Sequence, residues 1–277
     1  MPGRAEPGSF DARTAPPQAR KPLPRRGTRA NDPTPTQTEP TVMPQTALID
    51  TSDRQSHNLL GQRLGRKGRD TRERVVAALH QLLATSPDVQ PTLTAIAREA
   101  GVGMTTLYLY FSDLSELLLA ALDPITREAR LLIEQHCHRW SDDILHDECL
   151  TFLEAHYRFW AKHSRILHLR NSFADAGDPR LLANRRAMSN PAIECFAHQI
   201  GIDARQVETT GSEHAIVLLT MVERMATITT DANIGFAPVA LHAGASDAFV
   251  LRLLEAEASI MALTIDGFRH GALGRRR

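Results

Sequence analysis

Residues 92–111 read TLTAIAREAGVGMTTLYLYF, and the rest of the chain is arranged around them. Leu93, Ile96, Ala97 and Ala100 recur at helical spacing behind Thr92, whose hydroxyl suits an N-cap, so the spacing predicts a helix from about Leu93 to Ala100. Gly101 stops it, because glycine adopts the left-handed backbone that ends a helix without a Cβ penalty. Gly101-Val102-Gly103 turns the chain while Val102 points inward. A second helix, about Met104 to Tyr110, then buries Leu107, with Phe111 just beyond it. The pattern is a helix-turn-helix. Met104, Thr105, Thr106, Tyr108 and Tyr110 are left for the outer surface, and short hydroxyls with aromatics suit phosphate and base-edge contacts.

Upstream, Val75, Val76, Leu79, Leu82 and Leu83 form an apolar stripe on a first helix, for which Asp70 is the expected N-cap with Glu73 reaching back. Pro87 and Pro91 end that helix. Downstream, Ser112 or Asp113 caps a fourth helix with Glu116 at the return position of a capping box. The N-terminus of that helix would offer free amides and a positive dipole end on the same surface as the second helix of the motif. Leu114, Leu117, Leu118, Leu119, Ala121 and Leu122 pack beneath, and Pro124 begins or kinks the connection into the second domain.

This run resembles the DNA-binding domain of the TetR-like bacterial transcriptional repressors. Alanine-glycine-valine, then threonine-leucine-tyrosine, then an aromatic and Phe111 recur at the family's spacing, and the likeness is close over residues 69–122 and only architectural beyond. It implies an all-α chain, with an N-terminal three-helix helix-turn-helix domain and a larger helical-bundle C-terminal domain for ligand binding and dimerisation. It also implies double-stranded DNA contacts from Lys67 and Arg69 before the first helix, Thr92 and Thr94 on the second, and Ser112 before the fourth. On the recognition helix the implied contacts are Gly103, Met104, Thr105, Thr106, Tyr108 and Tyr110. The family's usual serine N-cap is Gly103 here, and the usual phosphate-gripping lysine of the fourth helix is Leu114. The first change alone weakens a cap by only a few tenths of a kcal/mol. The second removes a cation, so affinity is expected to lean on Arg66, Lys67 and Arg69.

Charge is placed accordingly. The net formal charge is zero, yet residues 1–69 hold 12 Lys/Arg against 6 Asp/Glu, while residues 70–122 hold 3 against 6. Within 92–111 the one cation is Arg98. Residues 1–60 read as a disordered Pro/Arg-rich tail, since 10 of the 16 prolines fall within the first 45 residues and no apolar periodicity offsets the entropy of ordering. Arg20, Lys21, Arg25, Arg26 and Arg29 make either a solvated tail or a DNA-tracking arm. Arg63, Arg66, Lys67 and Arg69 are likewise either a solvated run or, as in the family, contacts to backbone or minor groove.

The domain boundaries read as 61–122 for the helix-turn-helix domain, 123–270 for a helical effector-binding and dimerisation domain, and 271–277 for a basic tail. Helices are expected at about 125–139, 145–163, 165–174, 178–200, 207–230 and 246–267, with a loop at 235–244. In the resemblance the last two helices form a four-helix bundle with a second copy, giving the homodimer that two major-groove half-sites about 34 Å apart require. Apolar and semi-polar residues that could line an effector pocket are Phe152, Tyr157, Trp160, Phe173, Met188, Phe196 and Met221, with His156, Arg170 or Asn171 as polar groups.

Other chemistry has little support. His136, Cys137 and His138 suggest a metal site at first sight, but positions i and i+2 face different sides of a helix, so no metal or cofactor is expected. The three cysteines, Cys137, Cys149 and Cys195, are odd in number and lack CxxC spacing, which reads as core thiols and not a disulfide framework. No GxSxG, P-loop or dinucleotide motif occurs, so catalysis is not expected. Scattered Asp and Glu of the C-terminal half read as solvated helix faces. Without a run of about 18 apolar residues or a secretory leader, the expectation is a cytoplasmic protein with no membrane partner. The expected function is a ligand-responsive regulator, most simply a repressor on a palindromic operator released by an unidentified small molecule. The competing readings are a constitutive DNA-binding factor and an all-helical enzyme.

Overall fold

The computed structural model describes residues 57–85, 90–202, 212–230 and 247–273. Residues 1–56, the 86–89 connection, the 235–244 loop and the last residues, 274–277, lie outside them, so the readings made there are expectations only. Eight α-helices occur among the described residues: α1 Arg66–Thr85, α2 Leu93–Glu99, α3 Met104–Tyr108, α4 Leu114–His136, α5 Leu145–Asp175, α6 Pro179–Gln199, α7 Ser212–Thr230 and α8 Asp247–Arg269. A short 3-10 turn, Asp142–Ile144, precedes α5. No strand forms among the described residues beyond an isolated bridge between His57 and Arg63. The architecture is all-α.

Several boundaries correct the sequence reading. Helix α1 begins at Arg66, a turn before the expected Asp70 cap. Leu64 is buried and anchors the chain there, the Arg69 amide donates to the Gly65 carbonyl at 3.1 Å, and the Arg69 guanidinium donates to the Leu64 carbonyl at 3.0 Å. Helix α4 runs through Pro124 without ending. A proline removes one backbone bond, but Leu118, Leu122, Ile125, Ala129 and Ile133 continue one buried stripe across it, and that burial outweighs the loss. Helix α5 is one element of 31 residues where two were expected, because Phe159, Trp160, Ile166 and Leu167 keep a buried face through Ser164.

The core is in two clusters. The first joins Val75 and Leu79 of α1, Ile96 of α2, Leu107 and Phe111 of the motif and Leu118 and Leu122 of α4 to Phe159, Trp160, Ile166 and Leu167 of α5. The second joins Phe152 and Leu153 of α5 to Phe196 of α6, Leu218 and Val222 of α7 and Leu254 and Met261 of α8. Helix α5 therefore serves both clusters, one with each half.

The cysteine reading is also corrected. Cys137, the C-cap of α4, is bonded to Cys195 of α6, with Cα atoms 5.5 Å apart and a sequence separation of 58. Cys149 remains a buried free thiol, pushed up to about 12 by burial. Among the described residues no helix is long and apolar enough to cross a membrane.

Candidate functional site

The helix-turn-helix forms from short-range signals. The Thr92 hydroxyl accepts from the Ala95 amide at 3.2 Å, capping α2. Gly101 takes φ +63°, and the Val102 amide returns to the Ala97 carbonyl at 3.0 Å, which closes the helix and aims Val102 toward the core. Gly103 begins α3 with extended backbone and no side-chain cap, as glycine must. The five residues of α3 are held from beneath by Leu107 and then by Phe111, both wholly buried, with the Arg72 guanidinium 5.0 Å from the Phe111 ring centroid.

The surface this leaves differs in part from expectation. Thr94, Thr105, Tyr108 and Ser112 are exposed, as are Thr92 and Gly103, and Tyr108 keeps 48% of its surface. Met104, Thr106 and Tyr110 are half-buried, and Met104 and Tyr110 pack against the core, because α3 ends at Tyr108 and the following turn swings Tyr110 inward. Arg66, Lys67 and Arg69 are exposed on the first turn of α1. The chain before them is a folded loop. The Asn58 side chain accepts from the Leu60 and Gln62 amides at 3.1 and 2.8 Å, and the Leu59 amide donates to the Leu109 carbonyl at 3.0 Å. That bond satisfies a carbonyl at the open end of α3 and fixes the basic turn beside it.

The N-terminus of α4 is tied to the C-terminal helices. The Asp113 side chain accepts from the Glu116 amide at 2.8 Å, and Glu116 in turn accepts from the Ser112 amide and hydroxyl, both at 2.7 Å. Arg180 of α6 donates to Asp113 at 3.0 Å and to Asp178 at 3.0 Å, while Asp178 caps α6 by accepting from the Arg180 and Leu181 amides. The Arg180 guanidinium, with help from the Ser115 hydroxyl and those amides, holds the Asp178 carboxyl well below the usual carboxylate range. One guanidinium thus joins the caps of two helices, reaching an aspartate 67 residues before it in sequence.

A cavity lies between α5, α7 and α8. Leu153, His156 and Tyr157 line it from α5, Val222, Met225, Ala226 and Thr229 from α7, and Val250, Leu253, Leu254 and Glu257 from α8. Its free space is about 10 Å³, room for about one water. Glu257 is 3% exposed, burial pushes its carboxyl up to about 7, and its Oε1 has no hydrogen-bond partner among the described residues. Burial pushes the His156 imidazole down to about 4.

Of the ten residues expected to line a pocket, the structure brings His156 and Tyr157 to this cavity. Phe152, Trp160 and Phe196 are core, Phe173, Met188 and Met221 pack half-buried against it, and the Arg170 guanidinium is held by Asn171 and Met188. The residue sequence reasoning missed is Glu257. Its signal was present, since Val250, Leu254, Ala258 and Met261 mark the buried face of α8 at helical spacing and position 257 falls on it. Farther out, Ile216 and Val217 of α7 and Leu251, Ile260 and Leu263 of α8 are apolar and exposed, Leu263 at 72%.

No protein-family model matches the chain. No curated protein matches it either. Among solved structures, the chain is similar to the crystal structure of a TetR-family regulator from Streptomyces coelicolor A3, at 20% identity and a TM-score of 0.37, over 73% of this chain and 99% of that chain. The functional reading rests on the geometry of the motif and the helices behind it.

Proposed function

We propose that this chain is a DNA-binding transcriptional regulator, acting as a homodimer on a two-fold operator and releasing it when a small molecule binds the C-terminal helices. The observation that carries the reading is the helix-turn-helix itself: a five-residue α3, anchored by Leu107, that presents exposed Thr105 and Tyr108 beside the exposed Arg66 and Lys67 of α1. Hydroxyls and aromatics on a projecting helix suit base edges and phosphates, and the flanking cations supply counterion release. Thr92 and Thr94 stand exposed at the entrance of α2, where side-chain hydroxyls suit a phosphate.

The apolar faces of α7 and α8, led by Val217, Ile260 and Leu263, are the surface for a second copy. A ligand between α7 and α8 then acts on that surface, provided it binds the non-DNA conformation more tightly. Arg180, joining the caps of α4 and α6, gives the change a route to Ser112 and α3. The proposed site of action is the cytoplasm, and the chain performs no catalysis.

The test is selection of fragmented genomic DNA on the purified protein, followed by release with candidate metabolites. Retention of a discrete set of fragments, lost in Arg66→Ala/Lys67→Ala with a salt slope reduced by about 2, is the expected result. Failure to retain any DNA at moderate salt would sink the reading. A second reading, a DNA-binding factor answering to no ligand, is favoured by the small free space between α5, α7 and α8; it predicts that no metabolite changes retention.

A further inference from the structure

We propose that the cavity between α5, α7 and α8 takes a small apolar amine, with Glu257 as the anionic group that receives its ammonium. The inference rests on the ligand-responsive reading above and names the class of ligand. Leu153, Val222, Val250 and Leu254 give the cavity hydrocarbon walls, and Met225 adds a thioether that adapts to shape. Against these walls stands one carboxylate, nine-tenths buried, with an oxygen that no described residue engages.

Such a group is unfavourable unless something donates to it. The cavity supplies no cation of its own among the described residues. His156, held at about 4 by burial, is neutral near pH 7. The Thr229 hydroxyl donates to the Met225 carbonyl at 2.7 Å, so its proton is engaged. An alkyl or aryl ammonium matches both features, placing its body on the walls and its charge on Glu257. A carboxylate ligand meets like charge, and a polyol meets walls that offer it few partners.

The cavity must widen to admit such a molecule, and the packing says where. Helix α8 lies mainly against α5 and only lightly against α7. Its C-terminal end is pinned, since Arg269 donates to the Gln199 carbonyl at 2.9 Å and to the Trp140 carbonyl at 3.0 Å. Its N-terminal half, carrying Val250, Leu254 and Glu257, is the part that can part from α7. The exposed Leu251 lies on the same half, so ligand entry moves the apolar face offered to a second copy.

The experiment is isothermal titration of the full chain with benzylamine, benzyl alcohol and benzoate, repeated on E257Q. Benzylamine is expected to bind the wild type about tenfold or more tighter than benzyl alcohol, as a charge-assisted contact requires, with benzoate weakest. In E257Q the amine and the alcohol should agree within about threefold. The inference is overturned by an alcohol that equals the amine, by benzoate binding tightest, by no probe binding, or by an amine preference that survives in E257Q. Should E257Q fail to fold by circular dichroism, the amine-to-alcohol ratio in the wild type decides alone. Retention of genomic DNA, measured on the same preparation, separates the two readings. DNA retention without amine selectivity removes the ligand class and leaves the regulator, and amine selectivity without retention does the reverse.

Discussion

The helix-turn-helix and the seam between α7 and α8 hold their helices in opposite ways. In the first, α2 and α3 have seven and five residues, too short to persist alone, and are held by a cap, a left-handed glycine and single buried anchors at Ile96, Leu107 and Phe111. Their outer faces are polar. In the second, helices of 19 and 23 residues touch each other only lightly, α7 burying its apolar face mainly against α5 and α6 and α8 against α5, with one buried carboxylate left unanswered where they meet. The short elements have one solution each, whereas the long faces can slide or part while most of their burial is kept. A firmly held motif and an adjustable seam result from that difference, and α5 joins them because its two halves sit in different core clusters.

The largest effect expected is from Phe111→Ala. It removes a wholly buried ring from the cluster that the motif shares with α1, α4 and α5 and should cost about 3–5 kcal/mol in chemical denaturation. Because that cluster includes Phe159 and Trp160, the loss should appear as one earlier transition of the whole described fold. A separate early melting of the motif would break the shared-core account.

Next is the tie between α4 and α6. Closing 58 residues with the Cys137–Cys195 bond should stabilise the oxidised chain by about 4 kcal/mol in the loop-entropy account. Oxidised and reduced protein compared in urea, with the pairing assigned by mass spectrometry, checks this. Equal midpoints would show that the helix contacts carry α6 unaided.

Burial of Glu257 gives a pH signature of intermediate size. Its folded pKa, about 7, lies above the ordinary value of 4.5, so its contribution to stability is fully present below about 4.5 and is lost as pH rises to about 7. His156 runs the other way. Lowered from 6.5 to about 4, it contributes fully above about 6.5 and loses its contribution as pH falls toward 4. The two partly cancel in the wild type between about pH 4.5 and 6.5. E257Q should gain on the wild type by up to about 3 kcal/mol between pH 5 and pH 8, read from urea midpoints. A gap that stays constant with pH would place the carboxylate in contact with water.

The smallest effect is at the entrance of α3. Gly103 has extended backbone, and a Cβ built there meets nothing within 4 Å. Gly103→Ser should therefore add the missing cap and stabilise by a few tenths of a kcal/mol, visible as a slightly higher thermal midpoint. A lower midpoint would mean that the turn needs glycine for another reason.

The motif was legible because each of its signals acts within four residues. Thr92 capped α2, Gly101 turned left-handed and Leu107 and Phe111 went inside, as the spacing required. Asp70 misled because a capping residue is only a local offer, and the buried Leu64 started α1 earlier. Pro124 misled for a similar reason, its local cost being overruled by a stripe buried along both sides of it. The cavity was hardly legible: aromatic side chains pointed to the core, and the deciding residue was an acid that looked like solvent-facing charge.

By itself, then, the sequence determined the all-helical class and the helix-turn-helix with its turn and its anchors, since these depend on backbone preference and 3.6-residue spacing. Only the tertiary structure decided that α4 and α5 run unbroken, that Cys137 meets Cys195, that Arg180 bridges two caps, and that Glu257 is enclosed. Each of those depends on which helices lie side by side, and a contact between residues 58 or 67 apart leaves no mark in the local pattern of either.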